Sequence, residues 1–441
     1  MKKYTFLFSF FALMVVLPWI ALGQEASWVE QVIVVNGNQY ESTPPAVDYV
    51  TVQTYNPSTG ATYVFDEIKT QSVQDVVIAN AKIYVAAQDS IVMYDANTLQ
   101  RLNAVADSGL SRLYVYNNRL IVTKQYPVVK FFVEVLNAND LSLIARIQNI
   151  SGECKGITHY QDSVYVAING GYLGTEGKMA VINPNNWTLK REINFGPNAV
   201  GINDLHKYAR FIFSVNETPF GSTDVGSVTA YDTDSKAYTN YIFNLRVGNG
   251  AGGMKNSGII DTLLFLTLNN GIGSFNLDTR MLQDTVIFPD PGSANHIYYT
   301  SYATDYINSY LYTNIGNRVS FGVDVVGTIT GDSVTSFLTG FNTDAIALDY
   351  RVPVGIDSRV EKELSIALYP NPVEEQVRIK YTGETPITEI LIRDITGRTI
   401  YQSNEMTVSG VWIDCSSYSA GLYFVTVRSG SKTLSARFIK K

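Results

Sequence analysis

The residue types that most often carry out chemistry are scarce in this sequence and do not cluster. Among 441 residues there are three histidines and two cysteines. His159, His206 and His296 lie far apart without metal-ligand spacing, so each is predicted to be a hydrogen-bonded strand or turn residue. Cys154 and Cys415 are predicted to be free thiols because they fall in separate predicted domains. The sequence therefore predicts no catalytic residues and no metal ligands.

Motifs that would specify an active site are absent as well. We find no GxSxG nucleophile elbow, HExxH zinc motif, phosphate-binding P-loop, CxxC pair or D-x-D-x-D-G calcium loop. The net charge is −7 and no basic stripe is present, which argues against nucleic acid as the partner. Because 46% of the residues are hydrophobic, the chain can bury a large core, which excludes disorder throughout.

The best candidates for a binding site are polar residues that precede short apolar segments, with aromatic residues in longer loops. Such groups would form a cup for a small ligand if the fold placed them around one channel mouth. The alternative is that each of them is only a solvated rim residue. The predicted ligand-binding residues are Gln74, Arg112, Lys155, Asn198, Lys255, His296 and Asp344, with Tyr126, Tyr172 and Phe220 in the loops above them.

A repeat supplies the elements that would position these residues. A short apolar strand, an Asn or Asp that opens a turn, and a second strand recur about every 45 residues, and two more strands precede each copy. Four short strands per repeat are typical of a propeller blade. The turn-opening residues are Asn56, Asp95, Asn137, Asn183, Asp232, Asn276 and, in a weaker copy, Asp324.

Counting the repeats predicts an all-β fold with a seven-bladed β-propeller over residues 24–355. Six blades are complete, at about 73–105, 110–150, 154–195, 199–245, 251–288 and 296–341. The seventh is split: residues 344–351 supply an inner strand and residues 28–70 supply its partners. Joining the two ends would remove the exposed edges of an open sheet. A pair of β-sandwiches and an eight-bladed ring are the alternatives.

The first residues read as a targeting signal. Lys2 and Lys3 precede an apolar run over residues 6–22, and the small residues Ala21 and Gly23 occupy the positions that a signal peptidase reads. We predict a signal peptide over residues 1–23 that is cleaved after Gly23. A retained membrane helix is the alternative, although the run is short and Pro18 interrupts it. No other segment is long enough to span a membrane, so the mature protein is expected to be soluble outside the cytoplasm.

The C-terminal residues break the repeat. After a predicted linker at 356–366, short strands separated by Gly and Pro turns predict a small immunoglobulin-like β-sandwich over residues 367–441. Residues 361–441 contain 10 basic and 9 acidic residues, whereas residues 24–360 contain 21 and 31. The change in charge balance supports a separate domain.

Four ordered motifs in this segment resemble the type A C-terminal sorting domain of the type IX secretion system of Bacteroidetes. They are YPNP (Tyr369, Pro370, Asn371, Pro372), DITGR (with Asp394, Gly397 and Arg398), SAGLYFVTV (with Gly421) and the final RFIKK. The resemblance implies contact with the secretion machinery, passage across the outer membrane and removal of the domain, followed by release or surface attachment. An ordinary immunoglobulin-like adhesion module is the alternative.

The repeats, such as residues 76–102, resemble YncE-like propellers of the YVTN (WD40-like) type found at cell surfaces. The loop at 169–178 is similar to glycine-rich loops of a Bacteroidetes subgroup that includes cobalamin-binding propellers. The resemblance implies a fold more than a ligand. We expect a secreted or surface protein that captures a small molecule or nutrient without catalysis and without a cofactor, with a channel calcium ion left open. The alternatives are an adhesion or protein-interaction propeller and a metal-dependent hydrolase, lactonase or lyase.

Overall fold

The computed structural model describes residues 27–37, 49–219, 221–222, 224–248, 257–268, 271–289, 301–316, 321–351, 366–381, 386–404, 411–430 and 432–441. In these segments the chain is built from β-strands, with two single-turn 3-10 helices at Gly171–Leu173 and Pro197–Ala199. None of the helices in these segments has the length and apolar character needed to cross a membrane. The predicted signal peptide and most of the predicted linker lie outside the described residues.

Seven antiparallel sheets of four strands form the propeller, and six of them use consecutive strands. The chain begins with β1 (Trp28–Asn36), β2 (Val50–Tyr55) and β3 (Thr62–Ile68). Blade 1 contains β4 (Asp75–Ala79), β5 (Lys82–Ala87), β6 (Ser90–Asp95) and β7 (Arg101–Ala106). Blade 2 contains β8 (Leu110–Tyr116), β9 (Arg119–Lys124), β10 (Val133–Asn137) and β11 (Leu143–Arg146). Blade 3 contains β12 (Cys154–Tyr160), β13 (Ser163–Ile168), β14 (Lys178–Asn183) and β15 (Thr188–Asn194).

The next three blades follow the same pattern. Blade 4 contains β16 (Ile202–Tyr208), β17 (Phe211–Asn216), β18 (Ser227–Asp232) and β19 (Tyr238–Ile242). Blade 5 contains β20 (Gly258–Ile260), β21 (Leu263–Leu268), β22 (Gly271–Asn276) and β23 (Met281–Pro289). Blade 6 contains β24 (Tyr302–Asp305), β25 (Tyr310–Gly316), β26 (Phe321–Gly327) and β27 (Ser333–Leu338).

The seventh sheet joins the two ends of the propeller. Its strand order is β28-β1-β2-β3, with β28 (Thr343–Arg351) as the inner strand paired antiparallel to β1. The strands β28, β4, β8, β12 and β16 contact one another in turn, and β20, β24 and β28 do the same. These inner strands therefore surround one central channel. The predicted all-β fold with a seven-bladed propeller is confirmed.

The predicted turn chemistry holds at six of the seven repeat positions. Asp95 Oδ1, for example, accepts the backbone N–H groups of Asn97 and Thr98 at 2.8 Å, and the Asn or Asp of the other five copies bonds in the same way. The prediction for the weaker copy is wrong. Asp324 lies inside β26, largely buried, where its carboxylate accepts the hydroxyl of Ser333 from the adjacent strand.

The propeller has two faces. On the upper face, as we call it, the chain enters the inner strands. The loops between second and third strands lie on the same face. The lower face carries the turns from first to second and from third to fourth strands, because successive strands of a blade are antiparallel. The core lies between blades, where second and third strands bury Val, Ile and aromatic residues such as Phe213, Phe265 and Phe275. This packing holds the inner strands in fixed positions.

The C-terminal domain is a sandwich of two sheets. Its strands are β29 (Ile366–Tyr369), β30 (Gln376–Tyr381), β31 (Glu389–Asp394), β32 (Thr399–Ser403), β33 (Val411–Asp414), β34 (Gly421–Ser429) and β35 (Lys432–Lys440). One sheet has the order β29-β30-β33 and the other β32-β31-β34-β35. Alternate residues such as Val377, Ile379, Val425 and Val427 are buried between the sheets.

Candidate functional site

The inner strands of blades 2, 3 and 4 are irregular where they begin at the upper face. The pairing register shifts between Leu110 and Leu113 in β8, and at the matching points of β12 and β16. Such bulges turn side chains away from the regular alternation of a strand. They contain or adjoin the charged residues Arg112, Lys155 and Asp204.

One register position is equivalent in four successive blades. In each blade it is the inner-strand residue just before one cross-strand pair between the first and second strands. These pairs are Val76–Val85, Leu113–Val122, Ile157–Val166 and Leu205–Ser214. The four residues at this position are Asp75, Arg112, Gly156 and Asp204, and all of them line one cavity in the channel. The repeat thus supplies four equivalent positions, and each blade except the third places a charged side chain there.

The cavity has a volume of about 350 Å³. Toward the lower face its wall is formed by Tyr114, Thr158, His159, His206 and Lys207. The lining is therefore rich in hydrogen-bonding groups of both charge signs. A site of this kind suits a small polar ligand better than an apolar one.

Asp75 holds the inner strands of blades 1 and 2 together. Its Oδ1 accepts the N–H of Val76 and its Oδ2 accepts the N–H of Leu113 in the next blade, both at 2.9 Å. Burial raises the pKa of Asp75 to about 6, although the nearby Arg112 charge and the two N–H groups act in the opposite direction. Asp75 is therefore mostly ionised at neutral pH, and burial makes its charged form less favourable than that of an exposed carboxylate.

Asp204 joins blades 4 and 5 in the same way, but its pKa is lowered instead of raised. Its Oδ1 accepts the N–H of Leu205 at 3.0 Å, and its Oδ2 accepts the N–H and the hydroxyl of Ser257 at 3.0 and 2.9 Å. His206 Nε2 lies 3.4 Å from Oδ2. Burial opposes ionisation of this carboxyl, but His206 and Arg112 outweigh it, and the pKa of Asp204 falls to about 2.

Gly156 is the member of this ring without a side chain. A Cβ atom there would lie 2.5 Å from the Cα of Asp204, so the inner strands of blades 3 and 4 approach more closely than any other residue would allow. Gly156 therefore lines the cavity with backbone alone.

Lys155 lies in the bulge beside this ring. Its Nζ donates to Asn203 Oδ1 at 3.1 Å and is 3.7 Å from Glu217 Oε2. Burial lowers the pKa of Lys155, and the Glu217 carboxylate partly offsets that effect. Glu217 comes from the loop between β17 and β18, so this ion pair ties an upper-face loop to the channel.

Two of the histidines face the cavity, which sequence reasoning did not predict. Tyr114 Oη and His159 Nδ1 are 2.6 Å apart, and His206 Nε2 is 2.6 Å from Ser257 Oγ. Both rings are hydrogen-bonded, as the sequence suggested, but they also line the channel. No group of His, Cys, Asp and Glu suited to a metal ion occurs among the described residues.

The structure brings together two of the predicted ligand-binding residues. Arg112 lines the cavity, with 7% of its surface exposed, and Lys155 is its neighbour in the next blade. Tyr126 and Tyr172 lie in loops on the upper face and are 81% and 66% exposed. The other three loop and channel candidates, Phe220, Lys255 and His296, lie outside the described residues.

Lys155, Tyr126 and Tyr172 are not among the residues that line the cavity, and three other predicted residues also lie outside its lining. The Gln74 side chain turns to neighbouring loop groups, donating to Ser72 Oγ at 3.1 Å. Asn198 sits in the 3-10 turn Pro197–Ala199, which contacts the third and fourth strands of blade 4, β18 and β19. Asp344 is buried beside Gly37 within the seventh blade. A position just before a strand therefore did not predict which side chains line the cavity, because bulges and turns determine the direction of each side chain.

Several solved structures are similar to this chain at low sequence identity. A protein from Bacteroides fragilis described as a 6-phosphogluconolactonase has a TM-score of 0.51 and 11% identity, covering 73% of this chain and 98% of that chain. The extracellular domain of a protein from B. thetaiotaomicron described as a one-component system has a TM-score of 0.48 and 9% identity, covering 93% and 57%. The first of these likenesses shows the fold alone, and no curated protein sequence matches.

The C-terminal domain matches a known protein family. Asn371 ties the first motif to the last strand, since its Oδ1 accepts the N–H of Ile439 at 2.9 Å. Asp394 closes the DITGR turn by accepting the N–H groups of Thr396 and Arg398, and Gly397 has a positive φ of 84°. Residues 367–441 match the family described as the secretion system C-terminal sorting domain. This chain therefore carries a type IX sorting domain at residues 367–441, which implies export to the cell surface or secretion.

Proposed function

We propose that the exported propeller is a binding protein that captures a small polar molecule in its channel cavity without catalysis. The observation that carries this proposal is the ring of Asp75, Arg112, Gly156 and Asp204 around a cavity of about 350 Å³. These residues lie on inner strands rather than on loops, so the binding groups are held in place before a ligand arrives.

The hydrogen bonds of the two carboxylates support binding over catalysis. Each oxygen of Asp75 and of Asp204 already accepts a backbone N–H group, and both carboxylates join adjacent blades. A general acid or base must instead reach the proton of a substrate. Arg112, with the polar groups of His159 and Lys207 deeper in the channel, is the better partner for an anionic or zwitterionic ligand.

The test is titration of the mature chain with amino acids, sugar acids, corrinoids, haem, oligosaccharides and calcium, followed by native mass spectrometry and calorimetry. A ligand of the channel should bind saturably and raise the melting temperature. Arg112→Gln should weaken binding at least tenfold, whereas the matched variant Arg119→Gln, at the start of β9 on the lower face of the same blade, should not. Equal binding by both variants would place the ligand elsewhere, and turnover of any bound compound would overturn the non-catalytic part.

Exposed apolar side chains favour a second candidate function, contact with a protein or glycan at the upper face. Tyr126 and Val129 are 81% and 79% exposed in the loop after β9, and Tyr172 and Leu173 are 66% and 56% exposed in the loop after β13. Aromatic groups of this kind are typical of interaction surfaces. A double change of Tyr126→Ser and Tyr172→Ser should abolish surface binding in this case and leave channel binding intact.

A further inference from the structure

Asp261 of the propeller contacts the sorting domain. It lies in the turn between β20 and β21, and its Oδ2 accepts hydrogen bonds from Arg378 Nη1 at 2.6 Å and from Tyr369 Oη at 3.0 Å. Lys380 Nζ is 3.7 Å from the other carboxylate oxygen. The side chains are largely shielded from water, with 9% of Asp261, 15% of Arg378 and 19% of Lys380 exposed.

The groups that meet Asp261 form one face of the sorting domain. Along β30, Val377 and Ile379 are buried in the sandwich, so Arg378 and Lys380 point outward from the same sheet. Tyr369 is paired with Arg378 across the strands, and Arg378 is paired with Trp412. The three-stranded sheet therefore presents a row of aromatic and basic side chains toward the propeller.

A second turn of the propeller completes the contact. Lys380 Nζ donates to the backbone oxygen of Tyr306 at 2.8 Å and lies 4.8 Å from the centre of its ring. Tyr306 follows β24 in blade 6, so it lies on the lower face, as Asp261 does in blade 5. The arrangement spans two blades and leaves the upper face of the propeller uncovered by these contacts.

We propose that the sorting domain is latched to the lower face of the propeller through this basic and aromatic row, with Asp261 at its centre. Charge favours the pairing, because residues 361–441 have one net positive charge while residues 24–360 have ten net negative charges. Exposed ion pairs add little, but a shielded carboxylate between two cations is screened less by salt.

The chain itself strengthens the latch. Residues 352–365 join the two domains, and a short connection of this kind gives an effective concentration of about millimolar. A contact of a few side chains is therefore enough to hold the domains together while the connection is intact. The same contact is too small to keep them together once the connection is cut, so one cut would release the propeller.

The latch can be tested by measuring distances between spin labels on the full mature chain. Labels at the exposed positions Asn97→Cys in the propeller and Ser435→Cys in the sorting domain should give one narrow distance distribution. Adding Asp261→Asn should broaden it to that of two freely tethered domains. The matched variant Asp332→Asn, an exposed carboxylate on the same face, should leave it narrow.

Two results would overturn the latch. One is a broad distribution in the otherwise unchanged chain, and the other is a narrow distribution that persists with Asp261→Asn. The native thiols do not interfere, since Cys154 and Cys415 are buried. Melting curves of each variant establish that both domains are folded, so that loss of the latch is distinguished from unfolding.

Discussion

Replacing Asp75 by Asn should change how the stability of the propeller depends on pH. Asp75 is buried at the axis, where it accepts the N–H groups of Val76 and Leu113 and faces Arg112. Asn has the same shape but no charge, so it removes the titration. It also replaces one acceptor oxygen with a donor, which costs about 1–3 kcal/mol at every pH.

The magnitude follows from the pKa of this carboxyl. It is raised from 3.8 to about 6 in the folded chain, so the folded protein binds more protons than the unfolded chain between these pH values. The stability that protonated Asp75 contributes is present below pH 3.8 and is lost as the pH rises through about 6. At about 1.4 kcal/mol per pKa unit, the loss is about 3 kcal/mol. The Asp75→Asn variant should not lose stability in this way over the same pH range.

Urea unfolding of both proteins at pH 4, 5, 6 and 7, followed by far-ultraviolet circular dichroism, measures the effect. The stability of the wild type relative to Asp75→Asn should fall by about 2–3 kcal/mol across this range. The exposed carboxylate of Asp89 supplies a matched control, since Asp89→Asn should leave the pH dependence of the wild type unchanged. A difference between wild type and Asp75→Asn that stays constant from pH 4 to 7 would refute the assignment.

Three further predictions concern the channel and the two cysteines. Asp204→Asn should lower the free energy of unfolding at pH 7 by about 2 kcal/mol, and it should remove the loss of stability that the wild type suffers as pH falls from 3.8 toward 2, measured by urea unfolding at pH 7 and 3. Gly156→Ala should cost about 3 kcal/mol because its Cβ meets backbone, whereas Gly152→Ala, whose Cβ would lie 3.5 Å from a methyl group, should change the melting temperature little. Cys154 and Cys415 should react with maleimide only after unfolding, because burial raises the pKa of both thiols.

The architecture was predictable because its signals are local. Asn or Asp at the start of a turn, such as Asp95, bonds to backbone two and three residues ahead, so its effect is visible in a short window of sequence. The prediction for the weaker copy was wrong because a short window of sequence does not show how a residue is paired across strands. Asp324 resembles a turn residue in a short window of sequence, but it is paired with Ser336 across the strands and accepts the hydroxyl of Ser333. The turn itself begins after Gly327.

The candidate site was only partly predictable because its contacts are not local. Asp75 bonds to Leu113, 38 residues away, and Asp204 bonds to Ser257, 53 residues away. One signal was nevertheless present in the sequence. Asp75, Arg112 and Asp204 are charged residues near the start of inner strands, and charged groups must be paired when they are buried. Position in a loop before an inner strand instead selected residues such as Asn198, whose turn lies against the third and fourth strands of its blade.

The ring at the axis shows how a repeat can acquire a specific site. The fold gives every blade the same position on its inner strand, and identical residues there would make a symmetric channel. Asp75, Arg112, Gly156 and Asp204 instead give this position an acid of raised pKa, a cation, a residue without a side chain and an acid of lowered pKa. The blades supply the geometry and the differences between them supply the chemistry, so a change of charge at Arg112 should keep the fold and alter which ligand binds.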